Sequence, residues 1–294
     1  MSLESALALI DSVADYRVLF VGDSIQDEYH YVTTLGKSPK EYLIPVSFNE
    51  AEVFQGGTVA AANHARSFCR EVDVRTCRTP VRKVRFIEKY NLRKLFEVQY
   101  DDVFVENPDL GGNHDCVVVT DFGHRRVTRE MIEGLCKLPF VAVCAQTNSS
   151  NIGFNLITRY PKADYIVIDE PEARLAAQDR DGYIRNVMDK LSHNRCNKFI
   201  VTHGHFGAYG YQDGQFLHHQ GFANHPLDTL GAGDAFFSVT APMAKTGNID
   251  DLLVIGNAAG AIKTHIVGHR ESVTKEHLIE FLKAHGHDSR FAYQ

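Results

Sequence analysis

The segment Asp228-Thr229-Leu230-Gly231-Ala232-Gly233-Asp234 sets a carboxylate behind three small residues and ahead of the apolar run Ala235-Phe236-Phe237. Small residues let backbone N–H groups come close to a ligand, and the positive end of a following helix favours an anion. A transferring phosphoryl group needs such preorganised donors, because its charge spreads over several oxygens. Asp234 then stands where it can take a proton from an attacking hydroxyl. The same residues also suit a plain tight turn in which Asp234 caps a helix, and the segment alone leaves both readings open. It is not a dinucleotide fingerprint, since Phe236 stands where the third glycine belongs and no strand closely precedes it. A Walker-type phosphate loop is absent.

Other reactive side chains give weaker signals. His203-Gly204-His205 and His218-His219 lack the i, i+4 spacing of a zinc helix and read as surface or packing residues. The six cysteines are widely spaced, with no CxxC pair, as expected of buried thiols in a reducing compartment. The basic stretch from Arg78 to Arg93 alternates with Val84, Phe86 and Ile87, which reads first as a solvated strand face and second as a phosphate contact. A net charge of −6 argues against a nucleic-acid surface, which carries a basic stripe. No apolar run is long enough to span a bilayer, and Met1-Ser2-Leu3-Glu4 lacks the features of a signal peptide. With 44% hydrophobic and 23% charged residues, the chain is expected to be a globular, soluble, cytoplasmic protein.

The elements that must position these groups alternate. Residues 2–14 read as an amphipathic helix, followed by the buried-strand run Val18-Leu19-Phe20-Val21 that ends at Gly22-Asp23. Alternating segments at 41–55 and 84–99 predict antiparallel strands, and a helix is expected from Gly56-Gly57 to about Cys69. Beyond 115, short apolar strands at 116–119, 140–143, 165–168 and 198–201 alternate with helical stretches, the pattern of βαβ units and a mostly parallel sheet. Helices are expected at 182–193, 232–245, 250–266 and 274–285. The strand-rich insert between 35 and 100 would form a small lid on a single domain covering 1–294. Ligands of such sheets bind outside the carboxyl ends of the strands, where Asp23, Asp121, Asp169 and Thr202 fall.

Asp228 to Phe236 resembles the C-terminal signature of the PfkB, or ribokinase-like, carbohydrate kinases. The resemblance implies an α/β three-layer sandwich with a mostly parallel central sheet and a small β-strand lid, and ATP-dependent phosphorylation of a sugar hydroxyl. Gly231, Ala232 and Gly233 would form the anion hole and Asp234 would be the base. Further matches follow in order along the chain. Thr202, Gly204 and Gly207 are similar to a nucleotide-binding T-x-G-x-x-G turn, and Asn257-Ala258-Ala259-Gly260 and Gly268 to the region bordering adenine; Thr229 is assigned to the nucleotide with them. Asp169-Glu170-Pro171-Glu172 resembles N-x-x-E, which implies that Glu172, with Asp169, organises water around Mg2+. Asp23 and Asp27 would meet sugar hydroxyls, and Gly56-Gly57 resembles the sugar-contacting glycine pair.

Within the family, the likeness is greatest to the kinase part of bacterial heptose 7-phosphate kinases. Val21 to Asp27, Lys37 to Val46, Arg82 to Phe86, and Val119 to Gly123 carry it, which brings Asp121 into the substrate group and offers Lys83 or Arg85 to a substrate phosphate. Such kinases often carry a nucleotidyltransferase domain that this sequence lacks, so the chain is read as a stand-alone kinase or as one domain of a longer protein. A homodimer through the lid, residues 40–55 and 84–99, is also expected. Four departures bear on the acceptor: Ala60 in place of a sugar-binding Asn, with Asn63 nearby; Asp169 in place of Asn; Ala145-Gln146-Thr147 in place of Asp-Pro-Lys; and His124 in place of a lysine. The polar run Gln146 to Asn151 falls at a strand's carboxyl end, where it can face a ligand. The rival readings are a catalytically weak nucleotide- or sugar-binding module and a kinase for another polyol or nucleoside.

Overall fold

The computed structural model describes residues 3–101, 108–222 and 226–285; residue 2 of the expected first helix lies outside them. In chain order the elements are α1 (Leu3–Ser12), β1 (Arg17–Gly22), β2 (Ser24–Thr34), β3 (Val46–Gly57), α2 (Thr58–Ala65), β4 (Glu71–Thr76), β5 (Val81–Glu88), β6 (Lys94–Tyr100) and β7 (Cys116–Asp121). There follow α3 (Arg129–Leu135), β8 (Val141–Ala145), β9 (Tyr165–Asp169), α4 (Glu170–Ala177), α5 (Ile184–Ser192), β10 (Lys198–Thr202), β11 (Ala208–Gln212), β12 (Gln215–His219), α6 (Ala232–Met243), α7 (Ile249–Lys263) and α8 (Lys275–His285).

Eight strands form the central sheet in the order β12-β11-β10-β9-β8-β7-β1-β4. It is parallel from β10 to β4, and β11 and β12 add antiparallel at one edge. Strand residues point alternately to opposite faces, and the run Val18-Leu19-Phe20-Val21 shows the result. Val18 and Phe20 enter a core shared with α1, α2 and α6–α8. Leu19 and Val21 enter a second core shared with α3, α4 and α5. Burial on both faces is why these strands read as continuous apolar runs.

A second sheet, β3-β2-β5-β6, stands beside the first. It begins earlier than the expected insert, because β2 continues almost directly from β1 past Gly22-Asp23. Its centre is a parallel pair, β2 with β5, flanked by antiparallel β3 and β6. This corrects the reading of 78–93 as a solvated face: β5 is an inner strand, and Lys83 and Arg85 are buried. Alternation alone could not show this, because the buried face of β5 sets Lys83 and Arg85 between Val81 and Ile87. Tyr29, Tyr31 and Ile87 of this sheet pack with Phe54 and Leu230, so the sheet rests on the Asp228–Asp234 segment.

Candidate active site

Asp234 lies in the first turn of α6, whose N-cap is Gly231 at φ 76°. That left-handed conformation favours glycine, and it turns the chain so that Gly231, Ala232 and Gly233 open the helix. Ala232 N–H also makes a long bond to Thr229 O, 3.3 Å, which tightens the turn. Asp234 Oδ1 accepts from Gln146 Nε2 at 2.6 Å. Desolvation raises the Asp234 carboxyl above the usual range, while Gln146, His269 and Lys263 hold it down. A carboxylate made more basic, yet still oriented by a donor, suits proton abstraction.

The two loops beside Asp234 are stitched together. Asp228 accepts from Leu230 N (3.1 Å), Gly268 N (3.0 Å) and Lys94 Nζ (3.0 Å). Lys94 belongs to β6, so this contact ties the second sheet to the glycine segment. Thr229 and Asp228 line a hollow of about 240 Å3 with Tyr29, Tyr31 and Lys94. Gly268 adopts φ 54° and packs against the Tyr29 ring.

Asp27 on β2 faces the same centre. Arg85 Nη1 donates to it, and His269 Nε2 lies 3.1 Å from its other oxygen. Burial works to raise Asp27, but His269 and Arg85 outweigh it, and the carboxyl titrates below its ordinary value. Arg85 is further held by Glu97 at 2.8 Å. Gly56 is required here because a Cβ would collide with Asp27 Oδ2; at Gly57, φ 59°, one would strike Asp23 O.

Asp23 and Lys83 are held differently. Asp23 is fully buried, and neither carboxylate oxygen accepts a hydrogen bond among the described residues. Desolvation and the nearby Asp121 push it up to about 7, eased by the N–H dipoles of His124, Phe122 and Arg126. Lys83 is 8% exposed, is lowered by burial, and feels the fields of Asp27 and Asp23. No hydrogen bond or ion pair holds it among the described residues. His124, buried nearby, is pushed down to about 4 by desolvation and by Lys83.

Two of the candidate substrate residues are occupied elsewhere. Asp121 accepts from Tyr160 Oη (2.8 Å), Arg159 Nη1 (3.0 Å), Asn155 Nδ2 (2.9 Å) and Gly123 N (3.1 Å). It organises the loops after β7 and β8. Asn63 Oδ1 accepts from Arg66 Nε (3.0 Å), which also reaches Val72 O on β4 (3.2 Å). Asn63 is thereby directed to the β4 side.

Asp169 and Glu172 form a capping box at the start of α4: Glu172 N donates to Asp169 Oδ1 (2.7 Å) and Asp169 N to Glu172 Oε2 (3.0 Å). Thr147 N donates to the other Glu172 oxygen at 2.7 Å. Desolvation and Asp169, with Asp234 adding, push Glu172 up to about 8. Among the described residues no group of three or more His, Cys, Asp or Glu forms a metal cage. Thr202 ends β10 beside Asp169 in register. Gly204 (φ 53°) and Gly207 (φ 91°) shape the turn that follows. On α7, Asn257 Nδ2 reaches His219 O (3.2 Å), and Gly260 faces the Ala232 carbonyl at the start of α6.

The structure thus gathers Asp234, Asp27, Gly56, Gly231 and Asp228 around one centre, with Glu172 within electrostatic reach. It adds Gln146, His269, Lys263 and Lys94, each with a partner between 33 and 242 positions away in sequence. Two larger hollows lie elsewhere, one of about 650 Å3 beside Asp101, Asn151 and Arg159 and one of about 690 Å3 beside Pro171, Leu175 and His203.

Comparison with solved structures matches this architecture over nearly the whole chain. The ribokinase of Thermotoga maritima superposes with a TM-score of 0.67 at 18% identity, over 91% of this chain and 99% of its own. The Arabidopsis thaliana ribokinase complexed with ribose and ATP superposes with a TM-score of 0.69 at 14% identity, over 92% and 99%. The fold is ribokinase-like. Residues 143–276 of this ribokinase-like chain match the model of the pfkB family carbohydrate kinases. A stretch of 146 residues is 28% identical to the probable fructokinase-6, chloroplastic, of Arabidopsis thaliana, covering 46% of this chain and 38% of that protein's length. The family match takes in β8 through α7, and with them Gln146, Glu172, Thr202, Asp234 and Asn257.

Proposed function

We propose that the protein is an ATP-dependent kinase that phosphorylates a hydroxyl of a sugar or sugar phosphate. The observation that carries this reading is Asp234 at the glycine-capped start of α6, bonded to Gln146 and within electrostatic reach of the Asp27–His269 pair. The family match across 143–276 and the ribokinase-like fold support it.

In this reading the acceptor hydroxyl gives its proton to Asp234 as its oxygen bonds to the γ-phosphorus. The bond from that phosphorus to the bridging oxygen breaks, and ADP departs. Gly231, Ala232 and Gly233 present N–H groups to the phosphoryl oxygens, and the α6 dipole adds positive potential. Thr202, Gly204, Gly207, Thr229, Asn257, Gly260 and Gly268 are the proposed nucleotide contacts. Asp23, Asp27, Gly56 and Gly57 orient the acceptor; Asp121 is withdrawn from direct contact because both its carboxylate oxygens are engaged elsewhere, and Asn63, with only its Oδ1 held by Arg66, stays beside them as a weaker candidate. Lys83 is the better-placed cation for an acceptor phosphate, since Arg85 is paired with both Asp27 and Glu97. That supports a sugar phosphate, with a heptose 7-phosphate as the first acceptor to try.

Asp169, Glu172 and Asp234 are each raised, with desolvation foremost and, at Glu172, the charges of Asp169 and Asp234 adding to it. Such a group of carboxylates favours a cation nearby. Mg2+ retains most of its waters, so Glu172 and Asp169 would hold it through water, and when bound it neutralises β- and γ-phosphate charge. The test is ATP turnover with Mg2+ against heptose, hexose and pentose phosphates and free sugars. Turnover with one class is expected, and Asp234→Asn should lose it by roughly 100–10,000-fold while still binding nucleotide. Binding without turnover in the parent protein would favour a sugar- or nucleotide-binding module, and an active Asp234→Asn would remove Asp234 from the role of base.

A further inference from the structure

Lys263, at the C-terminal end of α7, is fully buried. Its ammonium donates to three main-chain carbonyls: Leu230 O at 2.9 Å, Ile266 O at 3.1 Å and Gly268 O at 2.8 Å. An ammonium has three N–H donors, so each is used, and none is left for substrate. The carbonyls come from both loops that flank Asp234. Burial lowers the Lys263 pKa, while Asp228 and Asp234 supply the compensating charge.

A ring of main-chain carbonyls around one buried positive charge is how proteins hold dehydrated monovalent cations. Here the charge arrives on a side chain. We propose that Lys263 is the resident cation of this carbonyl cage and is a positioning residue for the anion-binding segment, so that the protein needs no free monovalent ion there. The peptide between Leu230 and Gly231 is planar and trans, so fixing the Leu230 carbonyl on Lys263 turns the Gly231 N–H the opposite way. The aliphatic stem also lies under this turn: a Cβ on Gly231 would sit 3.4 Å from Lys263 Cε. Asp228 complements it by accepting the Leu230 and Gly268 N–H groups. One carboxylate and one ammonium thus hold the donors and the acceptors of the same two loops.

The inference rests on the phosphotransfer reading for its kinetic consequence, but not for the cage itself. The wild-type protein should turn over and melt identically in potassium, sodium and tetramethylammonium chloride at equal ionic strength. Lys263→Ala should lose roughly 10–100-fold in turnover, the scale seen when an outer positioning group is removed, mainly in kcat rather than in KM for ATP. Potassium or ammonium chloride should restore it, and tetramethylammonium, too large for the cage, should not. Lys263→Met fills the space with an apolar chain and should not respond to any of these salts.

A wild type that requires potassium overturns the proposal, as does a Lys263→Ala protein that is fully active in every salt or rescued equally by tetramethylammonium. Should Lys263→Ala fail to fold, the wild-type salt series decides alone. Should the wild type phosphorylate no acceptor, the phosphotransfer reading fails. The cage is then judged by melting, with Lys263→Ala stabilised by potassium or ammonium and not by tetramethylammonium.

Discussion

Burial beside Asp121 leaves Asp23 protonated to about pH 7, whereas in the unfolded chain it ionises near its ordinary value of 3.8. Across that window the folded protein holds more protons than the unfolded one, so stability falls as pH rises. Glu172, pushed up to about 8 from 4.5, acts in the same direction. A denaturation series from pH 5 to 8 should therefore show declining stability, and Asp23→Asn should flatten part of that decline. An unchanged slope in Asp23→Asn would mean that Asp23 is charged and paired in solution. Asp23, Asp27, Gly56-Gly57 and Asp234 were visible in the sequence as candidates because each sits in a short local motif. Lys263, His269 and Arg159 were not. Their roles arise from what their heads meet across the fold, and nothing near them in the chain signals it. The reverse holds for Asp121, whose position looked suitable and whose carboxylate is taken by Tyr160, Arg159 and Asn155.

The pairing of α6 and α7 shows how an element far from any ligand sets the site. Gly256 lets the two helices approach, and a Cβ there would run into the Phe236 ring. Gly256→Ala should therefore cost about 1–3 kcal/mol, as overpacking does, and displace Asp234 and Lys263 relative to each other; chemical denaturation and kcat would report both. A variant as stable and active as its parent would show that the helices can slide without consequence. Most of the helices, and the strands from β7 to β10 with β1, were readable because their apolar runs are clean. β4, β11 and β12 were not anticipated, since they lie toward the sheet edges and carry mixed residues such as Glu71-Val72-Asp73 and Gln215-Phe216-Leu217-His218. β2 escaped notice because Gln26, Asp27 and Glu28 interrupt its apolar pattern, polar residues that the site and Arg82 require.

At the scale of the molecule, the second sheet is joined to the glycine segment through Lys94–Asp228 and Leu230, and it exposes Phe48, Val53 and Phe96 on its outer strands. Both β3 and β6 are edges, and apolar edges invite pairing with a second copy. Self-association through this sheet is the expected state; light scattering should give twice the 33.0 kDa chain mass, and Phe48→Glu with Phe96→Glu should halve it. A monomer at working concentrations would remove the expectation. No helix among the described residues is long and apolar enough to cross a membrane.

The order of the elements has a consequence for synthesis. Every strand of the central sheet is complete by His219, yet three of the five helices that cover one of its faces, α6, α7 and α8, come afterwards. Until they are made, Val118, Val167 and Ile200, which share that core with them, lack this part of their cover. Chains emerge at about 5–20 residues per second, so this partly covered apolar face persists for seconds in each nascent molecule. Nascent-chain release at residue 220 should give an aggregation-prone product, and holding chaperones should engage the chain most strongly at that length.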